Sequence, residues 1–326
     1  MNKTFQPKIC IQQILPIHQN EFNSYSNHLD HEKLQAAFFS KKLWPKGSKI
    51  KVGFLSTGEL ITRTNMNEIA KGKDLDPLQN EVNSLSIQEA IKKIVKERIQ
   101  PLVNLNIVFV DNPNDADVRI SFDPAGGSWS LVGTDHLQQK KENATMNFGW
   151  FDVPTIIHEF GHMIGLIHEH QNPNGQKIMW DNKKVIEWAK ESQGWDEETT
   201  KQNILNKYDK TSINGSDFDP LSIMLYFFPA SLTTNNIGTE QNFRLSGQDV
   251  IWIDKMYHKD GQIPENFYKN VYSESLESSV SKSKKMMTEF GQPKSNNFSI
   301  TFIILICIAI LSFLILFLII KKIFKL

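Results

Sequence analysis

Cysteine is nearly absent from this chain. Its 326 residues hold two, Cys10 and Cys307, so no disulfide framework supports the fold, which must stand on its core, with or without a metal. Cys307 lies in an apolar run at the far end, which argues against pairing with Cys10. Net charge is absent as well: 36 basic side chains balance 36 acidic ones. A nucleic-acid binder would show a basic excess, so no nucleic-acid partner is expected. Met1 to Asn20 contains no continuous apolar stretch of the length a secretory signal needs and no small-residue cleavage site. No internal repeat is visible. The composition, 40% hydrophobic and 22% charged, excludes wholesale disorder.

What is present divides the chain into five parts. Residues 1–42 read as a polar extension, a surface arm without catalytic role, with a short helix around His31–Phe39. Residues 43–259 are long enough to bury one substantial core. Residues 260–299 are rich in Ser, Lys, Glu and Asn, with no sustained apolar period, and read as a flexible stalk. Residues 300–320 carry no charged side chain; at 1.5 Å per residue they reach about 31 Å, the thickness of a hydrocarbon core. They read as one transmembrane helix, and residues 321–326 as a short basic tail. With no signal upstream, the arrangement is that of a tail anchor, which leaves the folded body on the cytosolic side. Lys321, Lys322 and Lys325 pull the other way by the positive-inside rule, partly offset by Lys282, Lys284, Lys285 and Lys294.

Within the body, Lys49–Leu55, Asn106–Val110 and Asp117–Phe122 alternate as strands, with shorter pieces at Ser128–Val132 and Thr145–Gly149. Ser84–Ile99 spaces its apolar residues as a helix. Further helices are expected near Lys183–Lys190, from Glu197 with Asp196 as cap, and from Ser246 to Tyr257 with Asp249 completing a capping box.

The chemistry concentrates in one segment. Four of the nine histidines fall between His158 and His170, in His-Glu-Phe-Gly-His-Met-Ile-Gly-Leu-Ile-His-Glu-His. His158 and His162, four apart on a helix, face one side and reach a single ion. Gly165 permits a left-handed residue that ends the helix and turns the chain back. His168 then returns as the third ligand. Three protein ligands and one open position are what a catalytic Zn²⁺ requires. Glu159, beside the first ligand, is placed to take a proton from the attacking water. His170 falls outside the spacing and is expected at the surface or behind the ligands.

This extended motif resembles that of the metzincin zinc peptidases, and other segments resemble their astacin-like branch. Leu43-Trp-Pro-Lys-Gly47 is similar to the start of such a domain, and Ser222-Ile-Met-Leu-Tyr226 to its methionine turn. Asp117–Phe122, Gly127–Ser130, Thr145–Phe148 and Asp249–Tyr257 follow the layout of microbial members. The resemblance spans roughly Leu43 to Tyr257. It implies an α+β, two-lobed zinc peptidase domain, with a mixed five-stranded sheet and helices above and a mostly irregular or helical lower lobe. It implies one catalytic Zn²⁺ on His158, His162 and His168, with Met224 as an apolar floor and Tyr226 contacting zinc or the developing oxyanion. An edge strand near Ser128–Val132 would pair with an extended polypeptide substrate. After the third histidine the chain departs from animal members, reading Glu169-His-Gln-Asn-Pro173, and no propeptide or cleavage signal precedes Leu43. The expected activity is that of a membrane-anchored zinc endopeptidase, with polypeptide substrate and lipid bilayer as its partners. The alternative is a catalytically silent anchored protein that keeps the fold; the intact Glu159 and all three histidines weigh against it.

Overall fold

A computed structural model describes residues 10–12, 38–70, 73–173, 177–207, 213–214, 217–258 and 263–290. The strands are β1 (Ile11–Gln12), β2 (Phe38–Phe39), β3 (Lys49–Phe54), β4 (Thr62–Arg63), β5 (Asn106–Val110), β6 (Val118–Ser121), β7 (Trp129–Ser130), β8 (Met146–Asn147), β9 (Trp150–Phe151) and β10 (Ile213–Asn214). Six of them form one sheet in the order β1-β7-β8-β6-β3-β5. Pairings are parallel from β8 through β6 and β3 to β5, while β7 runs antiparallel to β8.

The alternation expected of β3 and β6 is present. Ile50, Val52, Val118 and Ile120 are all fully buried, on the face that a helix over Ile87–Ile94 covers with Ala90, Ile91 and Ile94. That helix begins with a capping box in which Ser86 and Glu89 satisfy each other's backbone N–H groups. The loop that leads into β8 is fixed by Arg119. Its buried guanidinium donates to the carbonyls of Ala116, Asp117, Gln139, Lys140 and Asn143.

The sheet differs from expectation at one edge. The five strands β3, β5, β6, β7 and β8 match the mixed sheet that the sequence implies, but a sixth, β1, lies parallel to β7 with Ile11 opposite Trp129 and Gln12 opposite Ser130. It belongs to the N-terminal arm. The short helix expected around His31–Phe39 is not present at its described end, where β2 pairs antiparallel with β10 instead; the rest of that stretch lies outside the described residues.

The stalk reading is also corrected. Ile263–Tyr272 and Leu276–Glu289 are helices, the second capped by Ser275. The second helix buries Leu276, Ser279 and Ser283, at helical spacing. Because two of these are serines, the stripe carries little hydrophobic signal, yet their small size allows close approach. A Cβ on Gly247 would meet the Ser279 side chain at 2.9 Å, and the Gly247 N–H donates to Ser279 Oγ at 3.0 Å. Tyr272 Oη donates to Asp76 at 3.0 Å, a carboxylate that also receives the buried Arg98 guanidinium at 2.8 Å. Residues 300–320 lie outside the described residues. Among the described residues no helix is long and apolar enough to cross a membrane.

Candidate active site

The motif helix runs from Val153 to Met163 with every residue buried, and Asp152 caps it by accepting the Thr155 N–H. Its C-terminal carbonyls, which a helix leaves without partners, are taken up by neighbouring elements. The Trp44 indole donates to the Met163 carbonyl at 2.8 Å and Tyr257 Oη to the Ile164 carbonyl at 2.5 Å. Gly165 has φ of +102°, and the turn is closed by Gly165 N–H to His162 O at 2.8 Å and Leu166 N–H to Gly161 O at 2.9 Å. The chain thereby doubles back, and His168 lies against His162.

All three expected ligands meet. His158 Nδ1 lies 2.9 Å from the Ile223 carbonyl, His162 Nδ1 2.8 Å from the Leu166 carbonyl, and His168 Nδ1 3.3 Å from Gln171 Oε1. Gln171 directs its oxygen toward His168 because its NH₂ donates to the carbonyls of Gln202 and Asn206. Each partner accepts only, so each imidazole carries its proton on Nδ1. Burial holds all three below the ordinary histidine pKa, His158 at about 4, so the rings are neutral and present lone pairs on Nε2. Those lone pairs converge: His162 Nε2 and His168 Nε2 are 3.1 Å apart, and the ligand atoms of all three histidines lie within 4.8 Å of one another. Ligands about 2.0–2.1 Å from a tetrahedral zinc stand about 3.3 Å apart. Three inward lone pairs, with His158 Nε2 lacking any partner, are a cation site by the chemistry of the donor set, and the residues fit zinc. Holding each ring by its outer nitrogen fixes its tautomer and aim.

Glu159 is fully buried beside His158, and among the described residues no group stands in hydrogen-bonding geometry to either of its carboxylate oxygens. Burial pushes its pKa up to about 8, with the Cys10 thiol offsetting part of that shift. Beneath the cage, Met224 is buried against the motif helix; a Cβ at Gly161 would come within 2.8 Å of its sulfur, which is why a residue without a side chain stands there. The turn holding Met224 is tied down by Asp249, which accepts Ser222 Oγ–H at 2.7 Å and the Ile223 N–H at 2.9 Å while completing the capping box of the Gly247–Tyr257 helix. The two segments are also linked directly, the Glu169 N–H donating to the Met224 carbonyl at 3.0 Å.

Tyr226 packs against the cage, its ring centroid 4.1 Å from that of His168 and 4.8 Å from that of His170. Its hydroxyl donates to the backbone carbonyl of Cys10. His170 is fully buried, bonded to the Asn203 carbonyl at 2.8 Å and stacked behind His168, so it supports the cage and is not at the surface. Glu169 is buried and accepts the Asp219 N–H at 2.8 Å and the Asn172 side chain at 3.0 Å.

The expectation that the N-terminal extension is a surface arm is overturned. Cys10 is only 8% exposed. Its sulfur, a His158 ring nitrogen and a Glu159 oxygen all lie within 4.8 Å of one another. Cys10, Thr155, His158, Ile223, Leu225 and Tyr226 line a shared cavity of about 60 Å³. No local pattern announces this contact, which joins residues 148 positions apart. Gln171 and Asp249 were equally hidden as support residues, since their roles depend on carbonyls and turns brought from elsewhere.

Comparison with known proteins agrees with this geometry. Residues 83–258, more than half of the chain, match the model of the astacin peptidase family. Among solved structures the chain is similar to myroilysin, at 29% identity, TM-score 0.53, with 68% of this chain and 98% of that one covered. A second myroilysin crystal structure aligns at 26% identity and TM-score 0.44, over 77% of this chain and 91% of that one. High choriolytic enzyme 1, a hatching-enzyme zinc protease from the medaka fish Oryzias latipes, aligns at 15% identity and TM-score 0.40, over 69% of this chain and 98% of that one. No curated protein matches the chain. On the match to its family model, with the three-histidine cage and its adjoining glutamate in place, the chain belongs to the astacin family and is a zinc metalloendopeptidase.

Proposed function

We propose that Glu159 is the general base of this peptidase, that Tyr226 assists the developing oxyanion, and that residues 300–320 anchor the enzyme in a membrane with its body on the cytosolic side. The observation that carries the catalytic reading is the convergence of three Nε2 lone pairs beside a fully buried carboxylate. Bound zinc supplies Lewis acidity and brings the pKa of an attached water toward 7.

The remaining work falls to the chain. Glu159 takes the proton from the attacking water and returns it to the leaving amine, two transfers by one group. Tyr226, held over His168, has a phenol that donates to the oxygen on which charge develops. The β7 edge that pairs with Ile11–Gln12 in this structure would offer the same main-chain groups to an extended polypeptide once that pairing is released, so affinity would come from strand addition and preference from side-chain pockets. Support for the anchor lies in the sequence: 21 consecutive residues without charge, closed by Lys321 and Lys322.

The test is a Glu159→Ala variant of the full-length protein, assayed on an unfolded protein substrate beside a zinc determination. Retained zinc with turnover reduced by about 10²–10⁴-fold is the expected result. Unchanged turnover would remove Glu159 from the mechanism. For the anchor, extraction of membranes at alkaline pH is expected to leave the full chain in the pellet and to release a chain ending before Ser299.

A further inference from the structure

The two C-terminal helices, Ile263–Tyr272 and Leu276–Glu289, lie beyond residues 83–258 that match the family model. With the segment that precedes the Gly247–Tyr257 helix they line a cavity of about 370 Å³, a volume in the range of ordinary ligand pockets. Its apolar lining is Leu221, Phe243, Leu245, Tyr268 and Met286. The last helix reaches it because Ser279, Lys282 and Met286 stand at i, i+3 and i+7, on one helical face. The charges around the cavity are matched. Lys73 lies 2.7 Å from Glu240, and Arg244 lies 2.9 Å from Glu274 and 3.4 Å from Asp74. Lys282 stands 3.8 Å from Glu274. Such a lining favours an apolar group over an ion. The cavity also continues the cleft: Gln241 and Asn242 line both it and the cavity of about 60 Å³ beside His158 and Tyr226. Asn242 is held in place, its side-chain NH₂ donating to the carbonyls of Pro220 at 3.0 Å and Ser222 at 2.8 Å, in the turn that leads to Met224.

We propose that this cavity is a second binding site for the polypeptide substrate, taking a bulky apolar side chain, leucine or phenylalanine, from a part of the peptide outside the scissile bond. The inference rests on the peptidase reading of the cage. It adds to that site a wall built by helices outside the family match. Only the Gln241–Asn242 segment is shared between cage cavity and second cavity, so a peptide that leaves the cage across these two residues meets the apolar lining next. Removing a leucine side chain from water there is worth about tenfold in affinity or more. A charged side chain gains nothing at the same place, because it loses hydration and finds each rim charge already paired. The cavity is remote from the reacting atoms, so contacts in it hold substrate and transition state alike. They lower KM and leave kcat unchanged.

The experiment uses the full-length, zinc-loaded protein in lipid nanodiscs, with Glu159→Ala for binding and Glu159 intact for turnover. The probes are fluorescein-labelled peptides that extend past the scissile bond on both sides. A single leucine is moved along flanks of serine and glycine, and the peptide without leucine is the reference. At one flank position leucine is expected to bind about tenfold tighter than serine by anisotropy. Turnover of that peptide should show KM lowered by the same factor with kcat unchanged. Met286→Trp fills the cavity and Met286→Glu places a carboxylate in its lining; in each, the leucine-to-serine ratio is expected to fall to about one. The glutamate variant keeps the expectation testable if the tryptophan variant fails to fold. Leucine without advantage at any position, or with an advantage that both Met286 variants keep, overturns the second site. Cleavage of the reference peptide in that case leaves the peptidase reading intact. A leucine advantage in binding that both variants abolish, with no peptide cleaved by any form, supports the cavity and overturns the peptidase reading instead.

Discussion

The helix that carries His158 and His162 and the arm that carries Cys10 meet at one point, but they are held in opposite ways. The helix is buried along all 11 residues, capped by Asp152 at one end and clamped by Trp44 and Tyr257 at the other. The arm, among the described residues, is held near the site by two residues of parallel pairing and the Tyr226 hydrogen bond. Ligands that must hold a metal in one geometry need support shells that fix their rotamers. The contrast therefore separates the wall of the cleft that carries the ligands from the segment that meets it through Cys10.

The strongest way to break that wall is to remove a ligand. His162→Ala is expected to lower zinc affinity by at least about 100-fold and to abolish turnover, measured by metal content after dialysis against a weak chelator; retention of a full equivalent would contradict the cage. Next in size is Asp249→Ala, which strips acceptors from Ser222 Oγ, the Ile223 N–H and the Ser246 N–H. Buried donors left unpaired cost about 1–3 kcal/mol each, so denaturant unfolding should show a loss of about 3 kcal/mol, with weakened zinc binding because Ile223 orients His158. A third change acts on the backbone. Gly165→Val places a β-branched side chain at φ of +102°, at a cost of about 2 kcal/mol, and should reduce zinc affinity by displacing His168 while leaving His158 in place.

The smallest effect sharpens the contrast from outside the site. Tyr272→Phe removes the hydroxyl that ties the Ile263–Tyr272 helix to the buried Asp76–Arg98 pair. A loss of about 1 kcal/mol is expected, seen as a Tm lowered by roughly 3 °C, with turnover unchanged. A larger loss accompanied by reduced turnover would mean that the C-terminal helices support the cleft directly.

The same contrast governs what the sequence discloses. The cage was legible because its geometry is local: a four-residue helical spacing, a glycine that reverses the chain, and a third histidine three positions later. The main strands β3, β5 and β6 were legible from alternation, and the Ser246 and Asp196 caps from their side chains. The arm was not, because the contact of Cys10 with Glu159 is set by tertiary placement and the polar residues around it suggest a solvated surface. The C-terminal helices were hidden for a different reason. Their buried stripe of Leu276, Ser279 and Ser283 works by close approach, and serines give no apolar periodicity to read. Of the two places the spacing leaves open for His170, the surface or behind the ligands, the second is the one observed, and only tertiary packing decides between them.

The most direct measurement is zinc-edge X-ray absorption on the full-length, zinc-loaded protein. Three imidazole nitrogens at about 2.0–2.1 Å make up the expected protein part of the shell. A shell with fewer than three imidazoles would contradict the cage of His158, His162 and His168 on which the account stands.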